Sequence, residues 1–258
     1  MSDVPVVCLS YRRVENVRTV HAVKPLILCV TESEKDEYAE KYPDNELLVH
    51  PDSVIGYPPT KQWIYDQLGD VFYLDDDLTE MRRVYDPDQK PHMTAEEAYD
   101  AIQATADVAR QVGAYLWGFQ NYTMSYAYDV FQPFKTVGYV NGMSHGLFAG
   151  SRLDFPDDRH FFGSDYYQSA LNAYHHRYVW CDCRFGFYQV KTFRNAGGLS
   201  EFRTLEREKQ SFEKLQRFFG TDVIKLKGSR GGRPPSTSAA RKQDNAGHPY
   251  EKILSLPW

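Results

Sequence analysis

The sequence holds no apolar run of the about 20 residues needed to cross a bilayer, so no membrane partner is expected. Its start, "MSDVPVVCLSYRR", turns basic too soon for a secretory signal, and a cytoplasmic chain is expected. Cysteine is scarce. Cys8 and Cys29 fall in separate predicted strands, and Cys181 and Cys183 form a C-D-C. That spacing suits neither a zinc ribbon nor a secreted disulfide framework, so reduced, structural thiols are expected. Acidic residues are missing from one stretch. Val223 to Gln243 contains none, against six bases: Lys225, Lys227, Arg230, Arg233, Arg241 and Lys242. The chain as a whole carries a formal net charge of −5, which excludes nonspecific nucleic-acid affinity over its entire surface. Internal repeats are absent.

What is present suits a globular chain. Hydrophobic residues make up 42% of the 258 and charged residues 25%, enough for a real core. The 19 tyrosines serve equally to pack that core or to line a polar groove.

Apolar runs and helical patterns alternate. "VPVVCLS", "PLILCV", "ELLVHP" and "DVFYL" read as strands. "TESEKDEYAEKYP" reads as a helix capped by Thr31 with Glu34, and "PPTKQWIYDQLG" as a helix ended by Gly69. The alternation predicts parallel strands with crossover helices. Further on, "TAEEAYDAIQATADVARQVG" is the strongest helix, with a Thr94–Glu97 capping box and Thr105 the one polar residue of its apolar face. "AYLWGF" is a strand, and "VGYVNGMSHGLFAGS" predicts two strands around Asn141-Gly142. "GSDYYQSALNAYHH" predicts a helix capped by Ser164, and "YVWCDCRFGFYQV" one strand. "SEFRTLEREKQSFEKLQRFFG" predicts a helix with Leu205, Phe212, Leu215 and Phe219 on one face. Residues 1–222 form one domain, and 223–258 a basic Gly/Pro/Ser-rich segment.

The fourth strand runs straight into Asp75, Asp76 and Asp77. In an open parallel sheet, ligands bind beyond the carboxyl ends of strands. Carboxylates clustered there suit a hard divalent cation, Mn²⁺ or Mg²⁺, held together with substrate phosphates. Asp75 and Asp77 share a side if the chain stays extended. The competing reading is a helix N-terminus, where Asp caps and meets the dipole, with "DLTEMRR" as the first turns.

Four stretches carry a resemblance: "LSYRR", "GYPPTKQWI", "YLDDDL" and "NAGGLSEFRTLE". The chain resembles GT-A fold glycosyltransferases, and among them the bacteriophage TET-associated glycosyltransferases, although Leu9 stands where that family commonly has Pro. The resemblance implies an α/β, Rossmann-like nucleotide-binding half with a mixed central sheet. It implies sugar transfer from a UDP-sugar, such as UDP-glucose, to 5-hydroxymethylcytosine in DNA, in the host cytoplasm for a phage protein. It also implies site residues. Ser10, Tyr11, Arg12 and Arg13 would hold the nucleotide, with Tyr able to stack and Arg to pair with phosphate. Thr31 would face the base and Lys61 the donor phosphates. Asp75 and Asp76 would hold the donor, and Asp75, Asp77 and His248 the metal. Asp165, inside a predicted helix start, would handle the acceptor hydroxyl. The glycines of "NAGGL" would let the backbone approach the sugar. "GSRGGRPPS" is similar to the core of an AT-hook, with an extra Gly between Arg230 and Arg233. Two other readings stay open: a non-catalytic DNA-binding accessory protein, and a transferase acting on a glycan or small molecule.

Overall fold

A computed structural model describes residues 3–86, 91–124, 128–189, 204–226, 250 and 252–256. In chain order the elements are β1 (Val6–Leu9), β2 (Ile27–Thr31), α1 (Lys35–Lys41), β3 (Glu46–His50), α2 (Tyr57–Leu68), β4 (Val71–Asp75) and β5 (Leu78–Arg83). Then come α3 (Ala95–Gln111), β6 (Leu116–Phe119), β7 (Phe134–Lys135), β8 (Ser144–Leu147) and α4 (Ser164–His175). The last are β9 (Trp180–Asp182), β10 (Phe185–Gln189), α5 (Leu205–Phe219), β11 (Ile224–Leu226) and β12 (Lys252–Leu254).

Eight strands form one mixed sheet in the order β3-β2-β1-β4-β8-β6-β9-β7. β1 to β4 are mutually parallel neighbours. β8 runs against both β4 and β6, and so joins this Rossmann-like half to a second parallel pair, β6 and β9. The fold is therefore α/β and GT-A-like. β1 is buried throughout, and β4 from Val71 to Leu74, as strands covered on both faces require. One core side holds Phe72, Leu74, Trp117 and the α3 face. The other holds Val7, Tyr73 and Ile64 of α2. Trp117 packs flat over Gly146, where any Cβ would come within 2.0 Å of its ring. α3 has the expected Thr94–Glu97 capping box, with Thr105 buried among alanines.

Local expectations fail where long-range pairing wins. "DLTEMRR" is not a helix start. It is β5, paired antiparallel with β10 so that Met81 meets Phe187. The stretch from Val137 to Gly142 forms no strand, leaving β8 alone after the Asn141-Gly142 turn. "YVWCDCRFGFYQV" divides into β9 and β10, because Asp182 accepts from Arg184 N at 3.0 Å in a turn that sends β10 to another sheet. Thr31 does not cap α1. Its pairing with His50 keeps it in β2, and its hydroxyl donates to Glu34 Oε2 at 2.7 Å. Ser164 is the first residue of α4, and Gly163, with φ at 97°, occupies the cap. Leu205 is exposed rather than packed beside Phe212 and Leu215. The four cysteines are free and buried, as expected.

β11 and β12 pair antiparallel, Leu226 opposite Lys252. Leu226 and Lys252, on either side of the undescribed residues 227–249, are therefore neighbours. Arg230, Arg233, Arg241, Lys242 and His248 lie outside the described residues, as does "NAGGL". Among the described residues no helix is long and apolar enough to cross a membrane.

Candidate active site at the carboxyl edge of the sheet

The ends of β1, β2 and β4 bring Ser10, Thr31 and Asp75 to one edge, with Leu9 directly opposite Asp75. After Asp75 the chain turns through Asp76 and Asp77 into β5. The turn is buttressed from below. Thr19 Oγ1 donates to the Asp75 carbonyl at 2.6 Å, and Arg18 N to the Asp76 carbonyl at 2.8 Å. Because the chain turns, the three carboxylates fan apart and find different partners.

Asp76 faces the first-strand turn. Arg13 Nη1 reaches its Oδ1 at 2.6 Å, and Ser10 Oγ donates to Oδ2 at 3.1 Å. Ser10 also shares a 2.8 Å hydrogen bond with the Tyr38 hydroxyl. Burial raises the Asp76 carboxyl above its ordinary value, and Arg13 works against that rise. Tyr11 and Arg12 take the outer side. Arg12, at φ 55°, lays its guanidinium 5.0 Å from the Tyr11 ring, while its backbone N–H donates to Glu34 at 2.8 Å. Glu34 in turn links Arg12 to Thr31. Asp77 is buried and accepts from Gln189 Nε2, on β10, at 2.6 Å.

Asp75 accepts from the Tyr57 hydroxyl at 2.5 Å. Tyr57 and Lys61 are one helical turn apart on α2 and so share a face. Lys61 has no exposed surface. Its ammonium donates to the Gly142 carbonyl at 2.8 Å and lies 4.1 Å from the Tyr57 ring centroid and 5.2 Å from that of Tyr73. Desolvation lowers Lys61 to about 8, with Asp75 and Asp165 pulling the other way. Desolvation likewise pushes Asp75 up to about 7, opposed by Lys61 and reinforced by Asp77.

Asp165 stands in the first turn of α4. It accepts from its neighbour's backbone, Tyr166 N, at 2.9 Å and from the Tyr139 hydroxyl. Gly142 packs directly against it, and a Cβ there would come within 2.9 Å of the Asp165 Cβ. His145 is buried behind, with Nδ1 3.1 Å from the Gly142 carbonyl. A carbonyl only accepts, so Nδ1 carries the proton. Burial, then Lys61, lowers His145 well below its usual range and keeps it neutral.

The Gly142 carbonyl is thus the hub between Asp75 and Asp165, collecting Lys61, Tyr57 and His145. Of the residues expected from sequence, Ser10, Arg13 and Asp76 meet directly; Lys61, expected at the donor phosphates, is instead fully buried on the Gly142 carbonyl, where Asp75 and Asp165 act on its charge. Tyr11, Arg12 and Thr31 form a neighbouring outer group. Tyr38, Tyr57, Tyr139, Gly142 and Gln189 were not singled out. Only Tyr57 left a signal, its four-residue spacing from Lys61.

The resemblance implies a divalent cation with Asp75 and Asp77 as its donors, although the turn after Asp75 removes the extended chain on which the two were expected to share a side. Asp75 and Asp77 are hard oxygen donors whose mutual repulsion a cation would relieve. Among the described residues no group of three or more His, Cys, Asp or Glu could hold a metal, so phosphate oxygens and water would complete the shell.

Asp75 sets a pH dependence in the absence of added divalent cation. Its folded value, about 7, lies above the ordinary 3.8. Between these values the folded state keeps a proton that the unfolded state has released. The stability this gives is complete below 3.8 and is lost as pH rises through about 7. Asp75→Asn, neutral at every pH, is therefore expected to gain on the parent across that window. Urea midpoints of both proteins at about pH 4.5 and about pH 7.5 check it, and a constant gap would contradict the assignment.

The family model of the TET-associated glycosyltransferases matches residues 4–198, which include every described site residue. No curated protein matches. Among solved structures, a cytidylyltransferase from Leptospira borgpetersenii serovar Hardjo-bovis is 10% identical, with a TM-score of 0.31, over 58% of this chain. The chain spans 61% of that protein's length. A Bacillus anthracis protein described as a glucose-1-phosphate thymidylyltransferase, in complex with sucrose, is 8% identical with a TM-score of 0.28, over 83% of this chain and 82% of its own.

Proposed function

The chain belongs to the TET-associated glycosyltransferase family, and we propose that it moves a sugar from a UDP-sugar to the hydroxymethyl group of 5-hydroxymethylcytosine in DNA. One observation carries the reading. Asp75, through Tyr57, and Asp165 both meet Gly142, whose carbonyl takes the Lys61 ammonium, and both carboxylates act on that charge. A donor-side carboxylate and an acceptor-side carboxylate within one partly dry site is what sugar transfer to a hydroxyl needs.

The nucleotide lies along the first-strand turn, over Ser10, Tyr11, Arg12 and Arg13, with Thr31 toward the base. Asp76, held by Arg13 and Ser10, orients the donor. Asp75 and Asp77, with His248, would hold Mn²⁺ or Mg²⁺, which when bound would supply a Lewis acid for the departing diphosphate. Lys61 balances the charge of Asp75 and Asp165 from beneath. Asp165 accepts a hydrogen bond from the acceptor hydroxyl, and takes its proton where configuration inverts.

The test is mass analysis of nucleosides from hydroxymethylated DNA incubated with the protein, Mn²⁺ and UDP-glucose, with and without EDTA. A hexose added to hydroxymethylcytosine only without EDTA supports the reading. UDP-glucose hydrolysis with unchanged nucleosides would reject the acceptor. Neither reaction, across a panel of nucleotide sugars, would favour a DNA-binding accessory protein.

The basic stretch is assigned to DNA. It begins in β11, and β12, which follows it, lies beside the acceptor side, where the Tyr166 hydroxyl donates to the Lys252 carbonyl at 2.7 Å. Arg230→Ala with Arg233→Ala is expected to weaken duplex binding and to flatten the slope of log K against log salt by about 2. Donor hydrolysis should not change. An unaltered slope would make the stretch a linker.

A further inference from the structure

α5, β11 and β12 build a core of their own, apart from the two cores of the sheet. Phe212, Leu215 and Ile224 are buried there with Phe161, and Tyr166, Tyr250 and Leu254 pack against them. This small unit touches α4, the helix that carries Asp165, through both α5 and β12.

The contact is anchored by a buried ion pair. Lys252, on β12, is 7% exposed, and Glu208, on α5, is 1% exposed. Lys252 Nζ lies 3.3 Å from Glu208 Oε2. The lysine stem runs beside Gly163 at the start of α4, where a Cβ would come within 3.4 Å of Lys252 Cε and 3.5 Å of its Nζ. The helix dipole opposes a cation so near an N-terminus. Buried pairs add little net stability. This one fixes register, since a slip of β12 by one residue would take Lys252 away from the buried Glu208. The pair therefore specifies where β12 sits on α4.

From β12 a continuous path of contacts reaches the acceptor carboxylate. The Tyr166 hydroxyl donates to the Lys252 carbonyl at 2.7 Å. The ring of Tyr166 lies 4.6 Å, centroid to centroid, from that of Tyr139. Each oxygen of Asp165 is met by one of these two tyrosines: Oδ2 by the Tyr139 hydroxyl, and Oδ1 by Tyr166 N at 2.9 Å. Val140 N donates to Ser169 Oγ at 3.0 Å, which ties the segment carrying Tyr139 to the same helix.

We propose that Tyr139 and Tyr166 are positioning residues for Asp165, and that β12 sets their place through the Lys252 carbonyl. β12 is a strut that completes the acceptor half of the site. The proposal rests on the acceptor role given to Asp165 above, and it adds a dependence: the docking of β12 governs transfer without touching the donor.

The test uses the full-length protein. Amide hydrogen exchange in the first turn of α4 is read by mass spectrometry, beside transfer kinetics on hydroxymethylated DNA. Tyr166→Phe keeps the ring on Tyr139 and removes only the bond to β12. It is expected to speed exchange in that turn about tenfold, with β1 and β4 exchanging as in the parent. The kcat should fall about tenfold with the KM for UDP-sugar unchanged, and Tyr139→Phe should lower kcat alike. Added to Asp165→Asn, Tyr166→Phe should cost nothing more, because it acts through that carboxylate. Unchanged exchange or unchanged kcat in Tyr166→Phe overturns the proposal. So does a loss that adds in full to that of Asp165→Asn, which would make the bond a support of the fold alone. If exchange responds but the parent transfers no hexose to hydroxymethylcytosine, the strut stands and the acceptor reading fails.

Discussion

Asp165→Asn is expected to lower sugar transfer by ~10²–10⁴-fold while leaving UDP-sugar affinity unchanged. Asparagine has the shape of aspartate; its amide oxygen keeps the bond from Tyr166 N, and its NH2, standing where the other oxygen was, donates to the Tyr139 hydroxyl, which reverses its role. The first turn of α4 should therefore keep its geometry against Gly142. What is lost is the ability to take a proton and the charge that orients the acceptor hydroxyl. Because Asp165 comes from α4, while the donor-side carboxylates come from the β4–β5 turn, the two functions separate physically. Transfer rates with saturating donor, set beside donor affinity from calorimetry, check this. A parallel loss of donor affinity would move Asp165 to the donor side and remove the acceptor assignment.

Legibility in the sequence followed the range of the interaction. The parallel half was readable because each strand and crossover helix carries its own pattern: the apolar "VFYL", Gly69 closing α2, the Thr94–Glu97 box. The aspartates stood out because a buried strand rarely ends in three like charges. The conformation after them was not readable. "DLTEMRR" has helix-start chemistry, and only Phe187, over a hundred residues later, makes it a strand. Ser10, Arg13 and Asp76 were each picked out by type and place, but their direct meeting depends on the β1–β4 pairing. The Gly142 hub was invisible for a related reason. Asn141-Gly142 reads as a hairpin turn, yet its carbonyl is surrounded by side chains from α2 and β8.

Lys61 is the sharpest case, since a lone lysine on a helix is usually solvated. Here three segments close over it, bringing Tyr57, Tyr73 and the Gly142 carbonyl, and its charge faces Asp75 and Asp165. Lys61→Met keeps the stem's volume and removes the charge. At about pH 8 the variant is expected to be less stable than the parent, because the Asp75 carboxyl then meets burial without the opposing charge of Lys61. At about pH 5 the loss should be smaller. Without Lys61 the Asp75 carboxyl rises further above its ordinary value, so it stays neutral there and only the hydrogen bond to Gly142 and some packing are missing. The sign follows from a raised folded-state pKa: the stability that comes from the protonated group is present at low pH and lost as pH rises. Adding Asp75→Asn to Lys61→Met should therefore recover most of the loss at about pH 8 and little at about pH 5. Urea unfolding of the four proteins of this cycle at both pH values measures the coupling. If Lys61→Met loses under about 1 kcal/mol at the higher pH, within the range of an exposed ion pair, then Lys61 does not balance these carboxylates. The charge of Asp75 would in that case have to be met from the donor side alone.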